Sequence, residues 1–338
     1  MRIKFVLLSL ILVALLLCTC TKSKEYIVEA PIVKKTILED SSYISFAYNI
    51  IFYKNKYYVS DLDNYRVLIL DTNLTYVNSI GKYGKGPGEF TAVTEIYIDN
   101  DTLYAFDPNK NKFNVFSIDG NFIKELEVQY PVYRKFFVSK GQIVFCHPYS
   151  EEPIVMVNKN GELISSFGHL TNKYSDEQKY STNQWDVLYD EKNIVLVNIT
   201  DPVIDIYTND LSFVKRIDLS DKGFFASMYE FKNEKIRKNA SMKRNTFSII
   251  KDSYLSNNKV YMVYFDRTKD KTYANKLLIY DYKSNNLSLP VILMSSTNES
   301  MKFITAISVH NGNVVVYDRD TGVLAKYKFS QEVNNEKL

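Results

Sequence analysis

The stretch Tyr58-Val59-Ser60-Asp61, Leu62-Asp63-Asn64-Tyr65-Arg66, Val67-Leu68-Ile69-Leu70-Asp71 and, after a turn, Tyr76 to Ile80 decides the fold. It holds three apolar runs, each about one strand long and rich in β-branched and aromatic residues, parted by short polar turns. The same grammar returns at Leu103-Tyr104-Ala105-Phe106-Asp107, Phe113 to Phe116, Asp119-Gly120 and Phe122 to Leu126. Aligned on the end of the second strand, six copies follow one another: Tyr58–Asp61, Tyr104–Asp107, Val144–His147, Val195–Asn198, Tyr261–Tyr264 and Val315–Asp318. Repeats of roughly 40 to 50 residues with about four strands each are propeller blades. The sequence therefore predicts an all-β, six-bladed β-propeller.

Third strands follow at Val67–Asp71, Phe113–Phe116, Ile154–Val157, Val203–Tyr207, Leu277–Asp281 and Leu324–Tyr327. First strands, expected to line the channel, precede the second strands near Tyr48–Phe52, Glu95–Ile98, Phe136–Ser139, Trp185–Tyr189, Phe247–Ile250 and Thr305–Val309. Fourth strands are visible in five repeats, but the sixth runs out at Phe329. An unassigned extended segment, Tyr26–Leu38, is placed to supply the missing strand and so to cover an exposed edge. The expected organisation is a leader at 1–19, a tether at 20–25, a propeller at 26–330 and a tail at 331–338.

Arg2 and Lys4 open the chain, and Phe5 to Leu17 is an apolar run short of the roughly 20 residues a spanning helix needs. This is an export signal. Leu17-Cys18-Thr19-Cys20 then resembles the lipobox of bacterial lipoproteins, which implies acylation of Cys20; Thr19 is small enough for the position before the cut, and Thr21-Lys22-Ser23-Lys24 begins a polar tether. The competing reading is a cleaved secretory peptide with two incidental cysteines. Beyond the anchor only Cys146 remains, within an apolar strand, where a buried inert thiol is expected; no internal disulfide can form. Stability must come from burial, for which 46% hydrophobic and 14% aromatic residues give ample material. Losing Arg2 and Lys4 with the leader lowers the formal charge from +3 to +1. That balance argues against a nucleic-acid partner, which needs a clustered basic surface, and leaves the lipid as the only membrane contact expected.

Two polar insertions interrupt the spacing, Leu170–Gln184 between blades three and four and Asp221–Thr246 between four and five. The second reads as a helix with Met228, Phe231, Lys235 and Lys238 on one face and Glu230, Lys232, Glu234 and Arg237 toward solvent. Both should stand on the face carrying the blade junctions and the loops between second and third strands.

Asp61 to Asp71 is similar to an NHL repeat, with its Asp, Asn, Arg, Val, Asp pattern, and Gly81-Lys82-Tyr83-Gly84-Lys85-Gly86-Pro87-Gly88-Glu89-Phe90 resembles the glycine-rich junction of that family. Blade two keeps Asp107 and Asp119-Gly120 but has Lys112 where blade one has Arg66. With the leader, the chain resembles six-bladed NHL-like β-propeller lipoproteins of Gram-negative bacteria, which implies a lipid-anchored address in the cell envelope, at the outer membrane. The glycine-rich segment is not a phosphate loop, since it lacks the Gly-Lys-Ser/Thr ending and no helix follows it.

His147, His169 and His310 form no paired ligand motif, and no nucleophile elbow is present. A mixed polar and aromatic rim remains: Arg66, Tyr83, Asp107, Lys110, His147, Tyr149, Trp185, Arg267 and Arg319 fall on loops or strand starts expected at one mouth. Arginine offers forked donors, and Tyr and Trp offer stacking faces. A non-catalytic binding or scaffold module for a peptide, glycan or partner protein, with no cofactor, is the leading expectation. The alternative is a metal-dependent lactonase- or lyase-like enzyme. Its ion, calcium for example, would be held by Asp107, Asn198, Asp201, Asp266 and Asp318, residue types that also serve as ordinary turn formers.

Overall fold

The computed structural model describes residues 27–35, 43–171, 182–238, 247–268, 271–296, 299–329 and 335–337; the leader, Cys20 and the tether lie outside them. Two short leading strands, β1 (Ile27–Glu29) and β2 (Val33–Lys35), precede six sheets, five of four strands and one of eight. Blade one is β3 (Ala47–Tyr53), β4 (Lys56–Asp61), β5 (Arg66–Leu70) and β6 (Tyr76–Ile80), and blade two is β7 (Ile96–Asp99), β8 (Thr102–Asp107), β9 (Lys112–Ser117) and β10 (Phe122–Glu127). Blade three is β11 (Tyr133–Ser139), β12 (Gln142–Cys146), β13 (Ile154–Val157) and β14 (Leu163–Phe167), and blade four is β15 (Trp185–Tyr189), β16 (Asn193–Asn198), β17 (Val203–Thr208) and β18 (Phe213–Asp218). Blade five is built on β19 (Ile250–Ser256), β20 (Lys259–Thr268), β21 (Lys271–Asp281), β22 (Asn286–Ser288) and β23 (Val291–Ser296), with the short β24 (Glu299–Ser300) against β23. Blade six has β25 (Ile304–His310), β26 (Asn313–Asp318) and β27 (Val323–Lys328).

The first strands β3, β7, β11, β15, β19 and β25 approach one another in succession, and β25 returns to β3, so the ring is closed. Its fourth strand in blade six is β2, antiparallel to β27 with Val33 opposite Lys326. The leading segment does more than this: β1 adds to blade five, parallel to β23 with Ile27 beside Val291. The tail also takes part, because β28 (Asn335–Lys337) pairs with β22.

The apolar core is divided by blade interfaces rather than concentrated at the centre. Six clusters each join residues of two neighbouring blades: Ile204, Phe225 and Met262 between four and five, for example, or Phe137, Trp185 and Tyr207 between three and four. This follows from strand alternation, since each sheet turns one set of side chains to either neighbour. Gly81 in the junction needs its positive φ of 81°, and a Cβ there would lie 2.2 Å from the buried Phe90 ring.

Helix α1 (Ala226–Lys238) fills the insertion between blades four and five. Met228 is buried as the spacing predicts, but Lys232, expected toward solvent, is 3% exposed. Its ammonium lies 3.0 Å from the Thr200 carbonyl and 3.4 Å from Asp201, so the loop of blade four supplies the partners that bury it. Two first strands also differ from expectation. That of blade three begins at Tyr133 rather than Phe136, and that of blade five runs Ile250–Ser256 rather than Phe247–Ile250.

Candidate functional site

Four of the six channel strands are bulged near the face that carries the blade junctions. The register slips between Ala47 and Asn49, Tyr133 and Phe136, Ile250 and Asp252, and Ile304 and Ala306. A bulge leaves a residue unpaired and re-aims its neighbours, here Tyr48, Arg134 and Lys135, Lys251, and Thr305. Arg134 sits in the left-handed region at φ 64°, a strained conformation for a side-chain-bearing residue.

These bulges deliver a charged network into the channel. Arg134 donates from Nε to Asp186 Oδ1 (2.9 Å) and from Nη2 to Asp186 Oδ2 (3.3 Å) and the Lys251 carbonyl (2.9 Å). Ser253 donates its hydroxyl to Asp186 at 2.6 Å. The Lys135 ammonium lies 3.0 Å from Asp252, which accepts the Ile307 N–H at 2.9 Å. Asn49 donates to Glu95. All six blades thus contribute to one buried set of polar contacts. Burial raises the Glu95 and Asp252 pKa values, while burial works against the Lys135 charge but Asp252 and Glu95 outweigh it, so Lys135 stays firmly protonated. Lys251 differs. Burial, aided by repulsion from Arg134, pushes it down to about 8, and its ammonium has no hydrogen-bond partner among the described residues.

Toward the opposite face, that of the turns between first and second strands, the channel becomes apolar. A cavity of about 220 Å³ there is lined by Phe52, Tyr53, Tyr97, Tyr189, Tyr254 and Leu255 among others, with Asn49 and Lys135 at its inner end.

The sequence-derived rim residues are scattered across the blades. Arg66 donates to Asp61 (3.2 Å) and to the Tyr43 carbonyl (3.2 Å). Lys110 donates to the Glu89 carbonyl at 2.9 Å. Tyr83 is exposed with its ring 4.8 Å from Tyr65. His147 and the exposed Tyr149 do meet, with ring centres 5.9 Å apart; burial lowers the His147 pKa, and its Nδ1 is buried without a partner. Trp185 is fully buried between blades three and four, which leaves its ring no open face. The guanidinium of Arg267 covers the Phe231 ring at 4.1 Å, and that of Arg319 covers Phe303 at 4.4 Å. Cys146 is buried and its thiol is pushed up to about 12 by that burial, consistent with an inert side chain.

The oxygen donors considered for a cation are each hydrogen-bonded to neighbouring loops, to helix α1 or to β21, although Asp201 Oδ2 is buried without a partner among the described residues. Asp107 accepts from the Thr91 N–H (2.7 Å) and hydroxyl (3.1 Å) and the Asn109 N–H (3.1 Å). Asp318 accepts from the Lys302 and Phe303 N–H groups (2.7 and 3.0 Å). Asn198 accepts from the Thr200 and Asp201 N–H groups, both at 2.9 Å. Asp201 takes Tyr229 (3.2 Å) and Lys232, and Asp266 takes Ser227 (3.0 Å) and Lys276 (2.5 Å). Among the described residues no three His, Cys, Asp or Glu side chains converge as a metal site would require. The channel network was not among the expected sites. Its signal was present in the sequence as charges inside otherwise apolar first strands: Glu95, Arg134-Lys135, Asp186 and Lys251-Asp252.

Among described residues no helix is long and apolar enough to cross a membrane. No curated protein matches the sequence. An exported protein from Bacteroides fragilis is similar in structure, with a TM-score of 0.57 at 13% identity over 86% of this chain and 87% of that one. Streptogramin B lyase gives a TM-score of 0.51 at 13% identity over 90% and 89% of the two chains. At such identities the likeness is one of fold alone. The family model that matches spans residues 38–311, most of the ring, and by that match the chain belongs to the DUF5128 family of 6-bladed beta-propeller proteins.

Proposed function

We propose that the chain is a non-catalytic binding protein of the cell envelope, held by an acyl group on Cys20, whose junction-face channel mouth receives an acidic group of a glycan or peptide. The observation that carries this is Lys251: an ammonium near Arg134, without a hydrogen-bond partner among the described residues, above a network whose carboxylates are already engaged. A partly desolvated, unmatched cation attracts a carboxylate strongly, because the ion pair restores what burial took from the charge. The exposed tyrosines Tyr43, Tyr83 and Tyr149 belong to the junctions and second-to-third-strand loops of the same face and add amphipathic stacking surface. The apolar leader supports an envelope address. A metal-dependent lactonase- or lyase-like reading has less support, since Asp107, Asn198 and Asp318 brace backbone amides while Asp201 and Asp266 pair with side chains of helix α1 and β21.

Calorimetric titration of the mature protein with oligogalacturonate and with its neutral galactose counterpart tests the reading. Heat with the acidic oligomer alone, lost in Lys251→Met, is the expected result. Equal binding of the neutral oligomer, no binding of either, or undiminished binding by the variant refutes it.

A further inference from the structure

Among the described residues, the exposed large aliphatic and Phe side chains lie at one level of the ring. Val77, Ile123, Ile164 and Val214 are each the second residue of the outermost strand in blades one to four. Val28 is the second residue of β1, beside Ile292 on blade five, and Ile32 directly precedes β2 on blade six, its N–H donated to the Lys326 carbonyl at 2.7 Å. These six are 45 to 58% exposed, one per blade. Fourth strands start at the turns from third strands, which open on the face opposite the junctions. The apolar belt therefore rims the turn face, whose channel end is also aromatic and aliphatic. The other exposed large hydrophobics are three tyrosines, and they belong to the junction face. A belt spread over every blade at one height matches a plane, where a groove-binding partner would need its contacts on one side.

The chain leaves the ring at the same face. Because β1 runs parallel to β23, which ascends from the turn face, Ile27 stands at the turn-face end. Cys20 is seven residues earlier, at most about 25 Å along an extended chain. We infer that the turn face is seated on a lipid bilayer, its belt of Val, Ile, Leu and Phe side chains entering the headgroup boundary beside the anchor and leaving the junction-face mouth directed away from the membrane. This orientation rests on the acylation of Cys20 proposed above. Interfacial apolar side chains add to an acyl anchor by burying further area, and here they fix which face points outward.

The test uses the full, processed chain in vesicles of phosphatidylethanolamine and phosphatidylglycerol, with and without brominated acyl chains. Phe122→Trp and Phe213→Trp place reporters in the belt, Tyr83→Trp places one on the opposite face, and the fully buried Trp185 is a constant background. Brominated lipid should remove most of the added emission from the first two and none from the third. Quenching of Tyr83→Trp instead, or no quenching in an acylated, vesicle-bound chain, overturns the orientation while leaving the anchor intact. Absent quenching together with a doubled mass in light scattering assigns the belt to a second copy and overturns it equally. An intact mass without an acyl group, with flotation unchanged in Cys20→Ser, overturns the anchor and the orientation with it.

Discussion

Replacing Asp186 with alanine should be among the most damaging single changes in this ring, although Asp186 belongs to no apolar cluster. Its carboxylate is fully buried and accepts two hydrogen bonds from Arg134 on blade three and one from Ser253 on blade five. Removing it leaves a guanidinium with only 16% of its side chain exposed and no countercharge at contact distance. Breaking one side of such a pair costs about 3–5 kcal/mol, and the orphaned Ser253 hydroxyl adds about 1 kcal/mol. Against this, Arg134 is held at φ 64°, strain of about 1–3 kcal/mol that can relax once the ion pair no longer pins it. The net expectation is a loss of about 1–5 kcal/mol, centred on about 3, or about 0.3–1.7 M in the urea midpoint for an m-value near 3 kcal/mol/M. Circular dichroism across a urea series reads it directly. The double change Asp186→Leu with Arg134→Met should be less destabilised than the single one, because no buried charge is left unmatched. A midpoint shift under about 0.3 M for Asp186→Ala, below 1 kcal/mol at that m-value, or a double variant as weak as the two losses added, refutes the reasoning.

Asp107→Ala should cost about 1–3 kcal/mol by stranding the Thr91 and Asn109 amides, and hydrogen exchange at those amides should rise selectively. Ile32→Pro removes the donor to the Lys326 carbonyl at the seam; amides of residues 323–328 should lose exchange protection before those of blades two to four. The folded pKa of Lys251 is depressed from 10.5 to about 8, so the unfolded chain binds that proton more tightly, and stability should rise with pH between those values. Lys251→Met should flatten that rise in pH-dependent melts. At neutral pH it should gain stability on the order of 2 kcal/mol, since each pKa unit is about 1.4 kcal/mol and channel water screens part of it. Affinity of the wild-type protein for an acidic ligand should fall as pH rises through about 8.

The blade count, the second and third strands and the closing strand were legible because apolar runs parted by turn residues repeat at nearly constant length. The channel was not, for a reason visible in the two first strands that were misplaced. Tyr133-Arg134-Lys135 and Lys251-Asp252-Ser253 read as loop when polarity is taken to mean solvent. In a closed ring the innermost strand can face partners instead: the carboxylate that makes Lys135 a strand residue is on blade five, more than a hundred positions away. Lys232 fails in the same way, its partners lying in the loop of blade four. The part taken by β28 was hidden because Asn335-Glu336-Lys337 carries no strand pattern of its own and acquires one only from the edge of β22.

The polar residues that close the second strands show how far one structural rule can replace a functional guess. In blades one, two and six an Asp accepts a backbone N–H from the residue sixteen positions earlier: Asp61 from Ser45, Asp107 from Thr91, Asp318 from Lys302. Blade four keeps the offset and inverts the bond. Asn198 donates to the Thr182 carbonyl at 2.8 Å, which an aspartate could not do, and an amide stands there instead. Blade five has Tyr264 at this position and keeps only the adjacent main-chain bond, Phe265 N–H to the Ile249 carbonyl at 2.8 Å, which blades one and six make as well, from Leu62 to Phe46 and from Arg319 to Phe303. Blade three has Pro131 sixteen residues before His147, so no N–H exists to be accepted and no carboxylate is present. In blades one, two, four and six the residue type at this position thus follows the hydrogen-bonding polarity of the backbone it braces. Asp107, Asn198 and Asp318, three of the five residues that resembled a cation site, are accounted for in this way; Asp201 and Asp266, which pair with helix α1, and His147, with its buried Nδ1 unmatched, are not explained by this bracing.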